Sequence, residues 1–239
     1  MHKKVFCNWK TYLGVGETQT LAAEIVEYAG SAKGIVLLPS AELLASVAHV
    51  IEGTSVEMGA QTSSVHRHGA YTGQLDPENL HTLGCQYVLV GHSEQRAAAP
   101  MPASHFIAQA TTALEVGLIP VICIGETRQQ RDAGDAAAVV REQLRGLEDI
   151  ADPDEFFIAY EPVWAIGTGE AATVEDVTQM CEYVKSIMGE RTAILYGGSV
   201  TAETVGAFAT QPLISGFLIG GASTKTTTLF PILDVLRSS

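Results

Sequence analysis

AYEPVWAIGTG, the stretch from Ala159 to Gly169, is the part of the sequence that most strongly indicates the fold. It continues an apolar run that begins at Phe156, and such a run predicts a strand buried on both faces, as in a parallel sheet. Pro162 must end this strand because proline has no backbone N–H to donate. The strand therefore presents one carboxylate, Glu161, at its end. The apolar, glycine-containing loop that follows could cover that carboxylate and exclude water. An ordinary solvated loop is the alternative.

Working outward, short apolar runs alternate with helical patterns at nearly even intervals along the 239 residues. The predicted strands are Val5–Asn8, Gly34–Pro39, Ser55–Gln61, Tyr87–Ser93, Ile119–Glu126, Glu155–Val163, Thr192–Gly198 and Gly216–Gly221. The predicted helices cover residues 17–29, 41–50, 77–83, 104–115, 128–149, 173–188, 201–208 and 225–237. Eight strand–helix units without a long linker favour an α/β fold in which residues 1–239 form a single domain. We expect a closed (β/α)₈ barrel of eight parallel strands inside a ring of helices. A doubly wound open sheet is the alternative, and it would usually have fewer strands in this length.

Composition narrows the class of protein. No run reaches the 18 or more apolar residues of a membrane span, and residues 1–8 turn polar too early for a signal peptide. The four cysteines are scattered without metal-ligand spacing, so we expect reduced thiols in a cytoplasmic protein; they are Cys7, Cys85, Cys123 and Cys181. The formal net charge of −13 argues against nonspecific binding to nucleic acid. We therefore expect a small-molecule substrate and neither a nucleic-acid nor a membrane partner.

Polar residues follow several of the predicted strands at their C-terminal ends. These strand ends are Asn8–Lys10, Gly91–Glu94, Glu161, Tyr196–Ser199 and Gly220–Gly221. A single polar strand end is usually structural. In a parallel barrel, however, all of these ends meet on one face, which is where active sites form. We therefore predict one active site built from five strands.

Glycine and serine amides after the last two strands predict a phosphate site. Gly197–Ser199 and Gly220–Gly221 each lie between a strand and a helical segment, so their N–H groups point to the same region. Barrels commonly bind phosphate after these two strands. Because the chain is acidic, an anionic substrate also needs a local cation, and Lys10 is the candidate.

The stretch 159–169 and these strand ends together resemble the triosephosphate isomerase family, and the resemblance spans essentially the whole chain. It implies a TIM barrel and an aldose–ketose isomerase without metal or cofactor. Such an enzyme interconverts dihydroxyacetone phosphate and D-glyceraldehyde 3-phosphate through an enediolate, in glycolysis and gluconeogenesis.

The resemblance implies a role for each catalytic side chain. Glu161 would take a proton from the carbon next to the carbonyl and return it to the neighbouring carbon. His92 would polarise the carbonyl as a neutral imidazole, and Lys10 would neutralise charge on the enediolate. A neutral His92 requires that the turn after it open a helix whose positive end disfavours the imidazolium.

Binding, supporting and lid residues follow from the same resemblance. The substrate-binding residues would be Asn8 and Lys10, together with Gly167, Ser199, Gly220 and Gly221 at the phosphate. The supporting residues would be Ser93, Glu94, Cys123 and Tyr196. Among these, Ser93 could hydrogen-bond Glu161, Glu94 could pair with Lys10, and Cys123 would pack beside the site without acting as a nucleophile. The lid would comprise Pro162, Val163, Trp164, Ala165, Ile166, Gly167 and Thr168. Its closure would prevent the enediolate from losing phosphate.

The sequence departs from the family pattern outside the base, the electrophile and the phosphate amides. The departures are Cys7, Thr11, Tyr12, Gln74, Gln95, the segment Ala99–Met101 and the segment Glu170–Ala172 after the lid. The resemblance also implies a homodimer, in which the long loop His66–Gly73 brings Thr72 to the partner's site near Asn8 and Lys10. His66 and His68 could in principle bind a metal, but a lone pair in a loop is usually not a metal site.

Two other functions remain open. One is isomerisation of a longer phosphorylated ketose, such as a tetrulose phosphate, for which Thr11 and Tyr12 beside Lys10 are the only indication. The other is a barrel that binds phosphorylated ligands without turnover. The presence of both Glu161 and His92 argues against that second alternative.

Overall fold

Eight parallel strands form a closed barrel in sequence order in the computed structural model, which describes residues 3–150, 152–166 and 171–238. The strands are β1 (Lys4–Asn8), β2 (Ile35–Leu38), β3 (Glu57–Ala60), β4 (Tyr87–Val90), β5 (Ile119–Ile124), β6 (Phe157–Tyr160), β7 (Ala193–Tyr196) and β8 (Gly216–Ile219). The last strand closes on the first, with Val5 opposite Phe217 and Cys7 opposite Ile219. The predicted barrel is therefore confirmed, and the doubly wound open sheet is wrong.

Helices surround the barrel. They are α1 (Val15–Ala29), α2 (Leu44–Ile51), α3 (Pro77–Thr82), α4 (Ser93–Ala98), α5 (Ala103–Glu115), α6 (Arg128–Asp132), α7 (Ala136–Leu144), α8 (Val174–Met188), α9 (Ala202–Ala209) and α10 (Thr226–Ser238). Short 3₁₀ helices occupy Ala41–Leu43, Val163–Ala165 and Gly221–Thr224. No helix among the described residues is long and apolar enough to cross a membrane.

The single helix predicted over residues 128–149 is wrong, because the structure divides this segment into α6 and α7. Gly134 lies between them with a φ of 80°, a left-handed conformation that cannot continue a right-handed helix. The predicted strands are confirmed in number and order, and all except β1 are shorter than expected. Glu161 and His92 lie in loops beyond the hydrogen-bonded ladder, whereas Asn8 is the last residue of β1.

The continuous apolar runs of the strands are explained by burial on both faces. Phe6, Leu89 and Leu195 belong to a cluster inside the barrel, together with one or more residues from most other strands. The alternate residues of β1, Val5 and Cys7, belong to the larger cluster between the sheet and the helices. Because neither face of a strand meets water, the polar residues are confined to the strand ends, where the site can form.

Candidate active site

The C-terminal ends of the strands surround a cavity of about 300 Å³. Its lining includes every described residue of the predicted catalytic and substrate-binding sets: Asn8, Lys10, His92, Glu161, Ser199, Gly220 and Gly221. The predicted phosphate ligand Gly167 lies outside the described residues. A larger and more open groove of about 860 Å³ adjoins the cavity beside α1, but neither His92 nor Glu161 lines it. The smaller cavity is therefore the candidate active site.

Glu161 is fixed between two neighbouring strand ends. Its backbone N–H donates to the Ile124 carbonyl oxygen at 2.7 Å, and its side chain is 3% exposed. A Cβ at Gly125 would lie 1.8 Å from the Glu161 carbonyl oxygen, and a Cβ at Gly197 would lie 2.9 Å from its Cγ. The strand end that carries the carboxylate therefore requires glycine on both sides.

The carboxylate of Glu161 contacts the strand end after β4. Its Oε1 lies 3.0 Å from Nε2 of His92, and its Oε2 accepts a hydrogen bond from the backbone N–H of Ser93 at 3.2 Å. The contact predicted for Ser93 is therefore present, but it comes from the backbone and not from the hydroxyl. The two predicted catalytic groups, base and electrophile, are in direct contact.

Helix α4 begins at Ser93, directly after His92. It was not among the predicted helices, but it is the helix start that a neutral His92 was said to require. The backbone N–H of Glu94 donates to Nδ1 of His92 at 3.3 Å, so Nδ1 is an acceptor and the hydrogen of a neutral imidazole is on Nε2. The Nε2–H then points at Glu161. This is the tautomer that can donate a hydrogen bond to a substrate oxygen.

The expected lowering of the His92 pKa is nevertheless wrong in this arrangement. Burial disfavours the imidazolium, but the hydrogen bond and the negative charge of Glu161 outweigh burial and raise the pKa above its ordinary value. The charge of Glu94 acts in the same direction, and that of Lys10 opposes it. The helix start that a neutral His92 requires is present, but the adjacent carboxylate has the larger effect on the pKa.

Lys10 is held at three points. Its Nζ forms the predicted ion pair with Oε1 of Glu94 at 2.5 Å, and its backbone N–H donates to Oδ1 of Asn8 at 3.1 Å. Its carbonyl oxygen accepts from Nε2 of Gln61 at 2.8 Å. These contacts maintain a φ of 49°, which is unusual for a residue other than glycine. They direct the side chain toward Gly220, where an added Cβ would lie 3.4 Å from Lys10 Cε.

Backbone amides after β7 and β8 also line the cavity. Within the described part of the chain, the N–H groups of Gly198 and Ser199 donate to no other residue, so both can bind an anion. The amide of Gly197 is different, because it donates to the Tyr160 carbonyl oxygen at 2.9 Å. Gly221 begins the 3₁₀ helix after β8. The predicted phosphate amides therefore line one cavity, except that the Gly197 amide is already used in a backbone hydrogen bond.

Two supporting side chains are buried beside the site. Burial raises the pKa of the Cys123 thiol well above its ordinary value, which agrees with a packing role and not with a nucleophile. The Tyr196 ring stacks on Phe208 with centroids 4.4 Å apart, and its buried hydroxyl has no hydrogen-bond partner among the described residues. A Cβ at Gly198 would lie 2.1 Å from that hydroxyl, so glycine is required there as well.

The described part of the lid, Pro162–Ile166, is anchored on a fully buried carboxylate. Trp164 Nε1 donates to Glu126 at 2.8 Å, and the Tyr160 hydroxyl donates to the same carboxylate at 3.2 Å. Arg131 pairs with Glu126 at 3.1 Å and also pairs with Asp176. The lid residues Gly167 and Thr168 lie outside the described residues.

Sequence reasoning did not identify the residues that hold the site together, among them Gln61, Gly125 and Glu126. Glycine before a carboxylate at the end of β5 was the only available indication of Gly125 and Glu126. Nothing in the sequence indicated that Gln61 contacts Lys10, because they are far apart in sequence and follow different strands.

Arg67 and His68 link the loop His66–Gly73 to carboxylates of the residues that follow it. His68 contacts Asp76 at 2.5 Å and Glu78 at 3.0 Å, and Arg67 contacts Glu78 at 3.1 Å. No group of three or more His, Cys, Asp or Glu side chains within residues 3–150, 152–166 and 171–238 is arranged to hold a metal ion.

Comparison with known proteins identifies the family. The family model described as triosephosphate isomerase matches residues 3–236. The chain is 38% identical over 242 residues to triosephosphate isomerase of Roseiflexus castenholzii, covering 96% of this chain and 95% of the relative. It is also 38% identical to that of Bdellovibrio bacteriovorus, covering 98% and 100%. The crystal structure of triosephosphate isomerase from Bartonella henselae has a TM-score of 0.89 and 31% identity, covering 99% of this chain and 100% of that one. The chain therefore belongs to the triosephosphate isomerase family.

Proposed function

We propose that Glu161 is the base and His92 the electrophile in the isomerisation of triose phosphates. As a member of its family, the chain is an aldose–ketose isomerase that interconverts dihydroxyacetone phosphate and D-glyceraldehyde 3-phosphate through an enediolate, in glycolysis and gluconeogenesis. One observation carries the residue assignment. Glu161 Oε1 and His92 Nε2 lie 3.0 Å apart, and both line the cavity formed by the strand ends.

The proton transfer follows from this contact. A ketose phosphate that binds here replaces the contact between the two groups: it presents a C–H to the Glu161 carboxylate and its carbonyl oxygen to the Nε2–H of His92. Glu161 takes the proton, and the electron pair of the broken C–H bond forms the enediolate double bond. His92 and the Lys10 ammonium stabilise the enediolate oxygen. A proton moves from the hydroxyl oxygen on the reacting carbon to the former carbonyl oxygen through His92, and Glu161 returns its own proton to the adjacent carbon, which regenerates the base without a cofactor.

The phosphate group holds the substrate so that its reacting carbon faces the Glu161 carboxylate. The amides of Gly198 and Ser199, which donate to no other described residue, line the same cavity as His92, and so do Gly220 and Gly221. Asn8 and Lys10 line the same cavity, where they orient the three-carbon chain. Binding energy from the phosphate is then used to hold the reacting carbon against Glu161.

The lid excludes water from the enediolate. Its first residues contact Glu126 through Trp164. Gly167, which lies outside the described residues, would donate to the phosphate, as the family resemblance implies. Tyr196 provides a buried hydroxyl without a partner among the described residues, so it can bind a backbone group of the closed lid. The closed arrangement disfavours elimination of phosphate from the intermediate.

We also propose a homodimer in the cytoplasm, with residues 1–239 as one domain. Large exposed apolar side chains support the dimer: Tyr12, Val15, Tyr71 and Met101 lie in the segment after β1, in the loop His66–Gly73 and after α4. All four cysteines are buried free thiols, which agrees with a reducing compartment. The pairing of β1 with β8 joins the two ends of the chain in one barrel.

A coupled assay of the purified protein with dihydroxyacetone phosphate and with a tetrulose phosphate tests the substrate assignment. The triose phosphate should be turned over with the higher kcat/KM, because the cavity of about 300 Å³ suits a small ligand. A higher kcat/KM for the tetrulose phosphate would contradict the assignment. Turnover of neither substrate would favour a binding protein.

A further inference from the structure

Arg96 is a half-buried arginine that forms no ion pair with any described acidic residue. It lies on α4, and its Nε donates to the Gly91 carbonyl oxygen at 2.7 Å. Its Nη2 donates to the Cys123 carbonyl oxygen at 3.0 Å, and its Cζ lies 4.1 Å from the centroid of the Phe106 ring. The guanidinium therefore joins the end of β4 to the end of β5 without a carboxylate partner.

The backbone around Arg96 is shaped for its guanidinium. Gly91 has a φ of 66°, and an added Cβ there would lie 2.7 Å from Arg96 Nη2. The missing side chain of Gly91 thus provides the space in which the guanidinium lies. Because Gly91 immediately precedes His92, the same hydrogen bond also fixes the turn that carries the electrophile.

Arg96 and Glu161 both line a second cavity, of about 240 Å³, and Glu161 also lines the candidate active site. Its lining contains one cation, Arg96, and one anion, Glu161. Burial lowers the pKa of Arg96, while Cys123 and, to a smaller extent, Glu161 act in the opposite direction.

We propose that Arg96 is a positioning residue for the isomerisation: it fixes the turn before His92 and, across the second cavity, stabilises the ionised carboxylate of Glu161. The inference rests on the proposed role of Glu161 as the base. A carboxylate with a side chain only 3% exposed is costly to ionise unless hydrogen bonds or an opposite charge stabilise it.

The other titratable groups around Glu161 do not supply the positive charge that Arg96 provides. His92 contacts the carboxylate at 3.0 Å but must serve the substrate oxygen during the reaction. The Cys123 thiol is buried and neutral, and Lys10 is paired with Glu94 on the substrate side of the cavity. Arg96 is the one positively charged residue in the described lining of the second cavity.

Replacement of Arg96 tests the proposal through the ionisation of Glu161. The titration midpoint of the Glu161 carboxyl is measured by ¹³C NMR on glutamate-labelled protein and is assigned by difference from Glu161→Gln. In Arg96→Met the midpoint should rise by about half a pH unit or more, because an opposite charge is lost. Arg96→Lys should restore most of the shift while recovering less activity, since an ammonium cannot reproduce the two directed hydrogen bonds. Arg141→Met, which removes an exposed arginine from α7, should leave the midpoint unchanged.

Activity at pH 7 provides the second measurement. Arg96→Met should lower kcat by about tenfold or more and change KM by less than about threefold, because the base and electrophile move while the phosphate amides do not. Arg96→Gln, which retains a hydrogen-bond donor, replaces Arg96→Met if the latter does not fold, and the same rise in midpoint is expected. An unchanged midpoint in a folded neutral variant would overturn the proposal. Retained turnover by Glu161→Gln would instead overturn the role of Glu161 as the base. Failure of the Arg96 proposal and failure of the proposed function therefore give different results.

Discussion

The glycine before the buried Glu126 gives a direct test of how tightly the base is positioned. In Gly125→Ala the new Cβ would lie 1.8 Å from the Glu161 carbonyl oxygen, whereas such contacts are essentially never shorter than 3.0 Å. The Glu161 backbone must therefore move by about 1.2 Å or more, and its carboxylate moves with it. A misplacement of about 1 Å costs on the order of 100-fold in rate, which corresponds to about 2.7 kcal/mol.

We expect kcat of Gly125→Ala to fall about 100-fold in the coupled assay with dihydroxyacetone phosphate. Binding of glycerol 3-phosphate, an analogue that lacks the carbonyl, should change by less than about threefold because the phosphate amides follow other strands. The overpacking should also lower Tm by about 3–10 °C.

Gly134→Ala is the matched control. Gly134 also has a positive φ, of 80°, but no atom lies within 4 Å of an added Cβ, so only backbone strain is introduced. Its kcat should stay close to that of the wild type. The reasoning is refuted if Gly125→Ala retains more than about a third of wild-type kcat, or if Gly134→Ala loses as much activity as Gly125→Ala.

Three further predictions concern the lid, His92 and the dimer. Deletion of residues 166–169 should divert the enediolate to inorganic phosphate and methylglyoxal, and phosphate release no higher than in the wild type would show that the segment is an ordinary loop. Glu161→Gln should lower the His92 pKa, because burial persists while the carboxylate that raises it is lost; an unchanged NMR titration of the imidazole would contradict this. Sedimentation at micromolar concentration should show a dimer that moderate salt does not dissociate, because Gln74 and Gln95 replace charged residues of the family pattern. A fully active 25.3 kDa monomer would contradict the dimer.

The barrel and the location of the site could be predicted because both depend on local pattern. Apolar runs identify strands that are buried on both faces, and polar residues such as Glu161 and His92 then stand out at the strand ends. The topology of a parallel barrel brings those ends together whatever the details of packing. The contact between Glu94 and Lys10 was predictable for the same reason, since opposite charges follow two strands that end on one face.

The residues that set the geometry of the site could not be predicted, because their roles depend on contacts between distant segments. Gln61 is an unremarkable polar residue in the sequence, yet its amide fixes the left-handed backbone of Lys10. In the sequence Arg96 is indistinguishable from a solvated arginine, and only the structure shows its hydrogen bonds to two backbone carbonyl oxygens. The His92 pKa was predicted in the wrong direction because the helix start was visible in the sequence and the 3.0 Å approach of Glu161 was not.

Proton exchange by Glu161→Gln tests the central assignment most directly. In D₂O the wild-type protein should incorporate deuterium at carbon into dihydroxyacetone phosphate, because the base exchanges the abstracted proton with solvent. Glu161→Gln should reduce the exchange rate by on the order of 10²–10⁴, since an amide of the same shape cannot accept the proton. Glycerol 3-phosphate binding should remain within about threefold of the wild type. An exchange rate above about a tenth of the wild-type rate, with binding intact, would contradict the assignment of Glu161 as the base.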